Sequence, residues 1–147
     1  MPRHNLIPAL FLALLLPAVS AAQGQNNLFG EYEIHHGTMR TSNLTPDVAR
    51  QYDIRRSDHR GLVTVAVRRT NDSGGEPVRA KVNATAVNLS AQRRDLNMRE
   101  VDEGQAIYYV DDFRIDPPET VRIEVTVTPE GSDESHELEI KRTFPAP

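Results

Sequence analysis

"TVRIEVTVT", residues 120–128, decides how this chain is read. Val121, Ile123, Val125 and Val127 fall on one parity, and Arg122, Glu124, Thr126 and Thr128 on the other. Side chains of a strand alternate between its two faces, so this segment has one apolar and one wet face. That pattern belongs to an antiparallel sheet packed on one side. "HELEIKRTF" (136–144) repeats it, with Leu138, Ile140 and Phe144 opposed by Glu137, Glu139 and Lys141.

Working outward, further strands are predicted at 28–36, 61–69, 78–90, 93–101 and 106–115, which makes about seven with 120–128 and 136–144. Turn clusters such as "TNDSGGEP", "DEGQ", "DPPE" and "PEGSDES" separate them. From residue 23 onward 18 residues are Val or Ile and 6 are Leu, a bias toward β-branched side chains that suits a pleated surface. Short strands with regular turns predict an all-β fold, a single Ig-like antiparallel β-sandwich. Within 78–90, Val78, Ala80, Val82 and Ala84 share a parity that Val87 and Leu89 do not. A bulge near Ala86, letting this strand bend between two sheets, would reconcile them. One short helix is expected near 45–52: Thr45 is a good N-cap, Pro46 suits the first position and Asp47 favours the dipole's positive end. It is expected to close one end of the sandwich.

The first 22 residues read as a signal peptide. Arg3 and His4 precede an apolar run from Leu6 to Leu16, and "AVSAA" (18–22) offers small residues for cleavage after Ala22 or one residue earlier. The run is shorter than the roughly 20 residues a bilayer span needs, so no integral span is expected after cleavage. Residues 23–147 are then one β-sandwich domain in the periplasm. Without Arg3, its 16 basic residues (17 − 1) face 21 acidic ones, a net charge of −5. A nucleic-acid partner, which wants a basic face, is not expected. With no Cys, an exported domain uses no disulfide and offers no thiolate to a metal or a lipid anchor.

His35 and His36 are the first candidate chemistry. Adjacent strand residues point to opposite faces, so one metal takes both only if the strand breaks at Gly37. With Met39 nearby, copper is the alternative reading, since His plus Met favours it; zinc is the other candidate. Asp111–Asp112 are strand neighbours that diverge, and Asp102–Glu103 lie in a turn, so neither gives the facing carboxylates of a glycosidase. No G-x-S-x-G is present, and no enzyme or cofactor is predicted. Tyr108 and Tyr109 put one ring on each face; an exposed one beside Arg99 or Arg122 would suit a sugar or a protein. The sequons at Asn43, Asn71, Asn83 and Asn88 read as chance matches, two of them falling inside a predicted strand.

"FGEYEIHHGTMRTSNLTPDVARQYDIRRSDHRGLVTVAV" and "NLSAQRRDLNMREVDEGQAIYYVDDF" resemble a family of small proteobacterial periplasmic proteins classed as a domain of unknown function. The resemblance is carried by Gly30-x-Tyr32 ahead of a strand, a Pro-started helix containing a Tyr, the pair Arg56-Ser57, and the run Glu103 to Tyr109. It implies a signal peptide followed by one β-rich domain, with no activity attached. This chain carries His36 where that family has Tyr or Phe, so a double-His site is not implied as a shared property.

The expected role is a soluble accessory module that binds another envelope protein. Sheet edges suit strand addition. The 37–60 segment is long for a connection and rich in Thr, Ser, Asn, Arg and Asp, as functional loops often are. The candidate contact residues are Tyr32, His35, Arg56, Ser57 and Arg60. The alternative, a metal-binding protein, uses His35, His36 and Met39.

Overall fold

The computed structural model describes residues 26–71 and 75–147; the predicted signal peptide lies outside the described residues. The strands are β1 (Asn26–Phe29), β2 (Tyr32–Arg40), β3 (Arg60–Arg69), β4 (Glu76–Pro77) and β5 (Ala80–Asn88), followed by β6 (Arg93–Leu96), β7 (Arg99–Asp102), β8 (Ile107–Arg114), β9 (Glu119–Pro129) and β10 (His136–Phe144). All pairings are antiparallel. One sheet runs β1-β2-β3-β8-β7 with β4 on β3, and the other runs β10-β9-β5-β6. The fold is an all-β sandwich. Among the described residues no helix is long and apolar enough to cross a membrane.

Alternation places the core where the sequence predicts it. Val121, Ile123, Val125 and Val127 are buried between the sheets with Ile34, Val63, Val65, Val67, Tyr109 and Phe144. Arg122, Glu124 and Glu139 sit opposite, on the wet face, where Arg122 bonds Glu124 at 3.1 Å and lies 3.5 Å from Glu139.

Three strand readings are corrected. The predicted strand 28–36 is a hairpin, β1 and β2. Phe29 pairs with Tyr32, leaving the two-residue loop Gly30-Glu31, and Gly30 takes a φ of 60°. A glycine at the first loop position of a tight hairpin supplies that left-handed conformation at little cost. The predicted strand 93–101 also divides. Its first part, β6, pairs with β5 in one sheet, and its second, β7, pairs with β8 in the other. Asn97 marks the crossing, its amide donating to Asp111 at 2.8 Å, while Leu96 and Met98 pack on the core. The change of sheet expected within 78–90 therefore happens here. β5 keeps unbroken register on β9, from Ala80 opposite Pro129 to Asn88 opposite Val121, and has no bulge. Val87 instead lies on the wet face, directly across from Arg93 and Arg122, and is still buried. Long arginine stems cover apolar surface while their heads stay in water. Leu89 is left 82% exposed in the following turn.

The helix α1 (Pro46–Gln51) forms as read, with the Val48 amide donating to the Thr45 hydroxyl at 3.3 Å. It does not close an end of the sandwich. Leu44, Val48, Ala49, Tyr52 and Ile54 form a second apolar cluster with Leu62 and Ala66 of β3 and Tyr108 and Val110 of β8. Residues 41–54 thus cover the outer face of the first sheet. β3 is buried on both faces from Gly61 to Val67 and needs apolar cover on each. Neither Tyr108 nor Tyr109 shows at the surface: Tyr108 belongs to the outer cluster, Tyr109 to the inner one.

Candidate functional site

The sandwich has one closed side and one open side. The crossing from β6 to β7 ties the two sheets together along one side. On the other, β10 is an edge strand of nine residues, and it holds register with β9 without a bulge from His136 to Phe144. Beside it, β1 covers β2 only from Tyr32 to His35, so His36 to Arg40 have no strand neighbour on that flank among the described residues. The inner faces of β2 and β10 meet here. Arg40 donates to the Pro145 carbonyl, and the Arg142 guanidinium sits 6.0 Å over the Phe144 ring.

Where β10 begins, the open side ends in a cleft of 590 Å³ lined by Phe29, Gly30, Glu31, Tyr32, Gly131, Ser132, Glu134 and His136. His136 stacks on Phe29 with ring centroids 4.7 Å apart, and Tyr32 lies 6.2 Å from it. The His136 Nε2 is buried and has no hydrogen-bond partner. Arg69 stands 5.7 Å from the Tyr32 ring centre and is flanked by Glu31 at 3.9 Å and Glu76 at 3.5 Å. A second cleft, of 610 Å³, opens at the far end between the β5–β6 turn and the 114–120 connection, lined among others by Leu89, Arg94, Arg114 and Glu119.

The five candidate contact residues do not converge. Tyr32 faces the core and borders the cleft at β10. His35 lies on the outer face of the first sheet, 3.5 Å from Glu33. Arg56 donates to the Leu44 carbonyl at 2.7 Å and the Ser42 carbonyl at 3.1 Å. The Ser57 backbone is held at both its groups by the buried Thr41 hydroxyl. Arg60 pairs with Asp112. Arg56 and Ser57 therefore tie the 41–57 segment to itself, and Arg60 pairs across β3 and β8 within the sheet. His136, which the sequence places beside a turn where only the fold can bring it to other groups, and Glu134, which nothing in "SDESHEL" singles out, meet Tyr32 because the sheets stack.

His35, His36 and Met39 are also kept apart. β2 runs unbroken through Gly37, which pairs with Thr64. His35 and Met39 share the outer face about 13 Å apart along the strand, and His36 points the other way. Among the described residues no group of three or more His, Cys, Asp or Glu could hold a metal ion.

Burial, and secondarily the charge of neighbouring His35, holds the His36 imidazole below its ordinary pKa. The folded chain therefore favours neutral His36, and the unfolded chain binds the proton first. This contribution is complete above the unfolded value of about 6.5 and is lost as pH falls below it. Urea midpoints at pH 7 and pH 5.5 should differ more for the parent than for His36→Gln.

These features define a class: a small antiparallel β-sandwich, closed along one side by a crossing strand and open along the other. The chain belongs to the family described as "Domain of unknown function (DUF4426)", which it matches over residues 26–145. It is similar in structure to a DUF4426 family protein of Pseudomonas aeruginosa PAO1, with 27% identity and a TM-score of 0.71 over 84% of this chain and 97% of that one. A copper-bound variant of FetP from uropathogenic Escherichia coli strain F11 matches with a TM-score of 0.60 and 8% identity, over 82% of this chain and 94% of that one. FetP as isolated gives 0.59 and 7%, over 83% and 93%. At such identity the FetP likeness shows the fold alone. No protein of curated function matches the chain.

Proposed function

We propose that this protein is an exported, non-enzymatic interaction module of the cell envelope, and that it pairs an extended segment of a partner protein along β10. The observation that carries this reading is the open side. β10 is long, straight and free of proline, and a strand edge of that kind offers a row of backbone groups to another chain. The leader-like pattern of residues 1–22 supports export to the periplasm. In the 41–57 segment, by contrast, the Thr41 hydroxyl and the Arg56 guanidinium are spent on the segment's own backbone.

Glu139 projects from the outer face of β10, and Thr85 from the middle of the same sheet, paired on both sides with Asp95 and Glu124. A photo-crosslinking amino acid at position 139 should capture one reproducible envelope protein in cells at native expression. The same group at position 85 should capture none. An empty result at 139, or equal capture from both positions, rules out docking at this edge.

A further inference from the structure

The cleft at the start of β10 is continuous with the edge, and its chemistry differs from the rest of that side. Its floor is aromatic, built by Phe29, Tyr32 and His136, and its rim carries Glu31 and Glu134. Glu31 is already close to Arg69, whereas Glu134 is exposed on a β9–β10 turn that also carries Glu130 and Asp133. Aromatic faces attract cations, and nearby carboxylates add to that attraction. The open side already does this within the chain twice, with Arg69 over Tyr32 and Arg142 over Phe144.

We infer that the cleft receives a lysine or arginine side chain of the segment that pairs along β10. This rests on the edge-pairing reading and adds what that reading lacks, a basis for choosing among partners. Backbone pairing is sequence-tolerant, and side-chain pockets give it specificity. A partner strand that runs along β10 past His136 leaves the sheet over Phe29 and Glu134. Arg69 already covers Tyr32, so a basic side chain at that end meets the stacked Phe29 and His136 rings and the Glu134 carboxylate; an acidic one meets Glu134 and Glu31.

The test is an NMR titration of the mature protein with two blocked nine-residue peptides, one alternating threonine and lysine, the other threonine and glutamate. The lysine peptide should bind the parent more tightly than its twin. Glu134→Lys should weaken it about tenfold and Phe29→Leu, which keeps apolar bulk but removes the ring, about threefold. Asp58→Lys changes net charge equally at the far end and should leave affinity within about twofold. Equal losses in Glu134→Lys and Asp58→Lys, or no preference for lysine, overturn the inference. Backbone amides of β10 report the edge separately. Shifts there without lysine preference leave edge pairing standing and remove the cleft's role. A lysine preference with silent β10 amides removes edge pairing instead and leaves an isolated cation site.

Discussion

Ile123→Asp yields no cooperatively folded protein in urea melts followed by circular dichroism, while its neighbour Arg122→Asp stays folded and loses about 1–2 kcal/mol. Ile123 has no exposed surface and stands across from Ile140 on β10 and Ala86 on β5. A carboxylate there faces apolar side chains of both sheets. An unpaired buried charge costs several kcal/mol, and its alternative, a protonated carboxyl without partners, still loses a hydrogen-bonded place in water. Either is comparable to the whole stability of a small domain, about 5–15 kcal/mol. Arg122 is half-exposed and makes its bonds to Glu124 and Glu139 in water. Its replacement loses those pairs, adds repulsion from the same two carboxylates and uncovers part of Val87. Equal tolerance of the two substitutions would mean that the register of β9 is wrong.

That contrast was legible in "TVRIEVTVT" because period two is a local property, settled by the strand alone. The strand breaks were less so. Gly30 looks like any strand glycine until Phe29 and Tyr32 are known to pair. Asn97 splits 93–101 because Asp111, fourteen residues on, receives its amide. In the sequence alone Val87 demands a bulge, because an apolar residue on the wrong parity reads as a change of face. Two arginines lying across it met the same demand without bending the strand.

The site was legible in part. Tyr32 stands among the residues the sequence points to, and it borders the cleft at the start of β10. Which strand would be an edge is a matter of sheet order, and no residue of "HELEIKRTF" encodes it. The 37–60 segment shows the opposite difficulty. Its Thr, Ser and Arg content resembles a solvated loop, yet Thr41 is fully buried with both groups of the Ser57 backbone on its hydroxyl, and Arg56 closes two further carbonyls. Polar composition does not distinguish a surface that faces water from a connection that satisfies itself. The run "LVTVAV" (62–67) held the missing clue. Leu62 and Ala66 make its second parity apolar too, so both faces of β3 require cover.

Leu44→Ala tests that cover directly and should lower global stability by about 2–4 kcal/mol, read from urea melts. Leu44 is buried among Val48, Tyr52, Leu62, Ala66 and Tyr108 in the outer cluster, and its loss leaves a cavity between the 41–54 segment and β3. Removing three carbon atoms from a packed site forfeits their transfer energy and their dispersion contacts together. Arg55→Ala, directly after that segment and exposed, should change stability by less than about 0.5 kcal/mol. Hydrogen exchange separates the two ways Leu44→Ala could act. If the segment is part of the core, β3 and β8 amides lose protection together with those of α1. If it opens as a separate lid, α1 exchanges faster while the amides of β3 and β8 keep their parental protection and the urea midpoint hardly moves. The first outcome is expected. β3 is the central strand of its sheet, and uncovering its outer face would expose Leu62, Ala66, Tyr108 and Val110 at once.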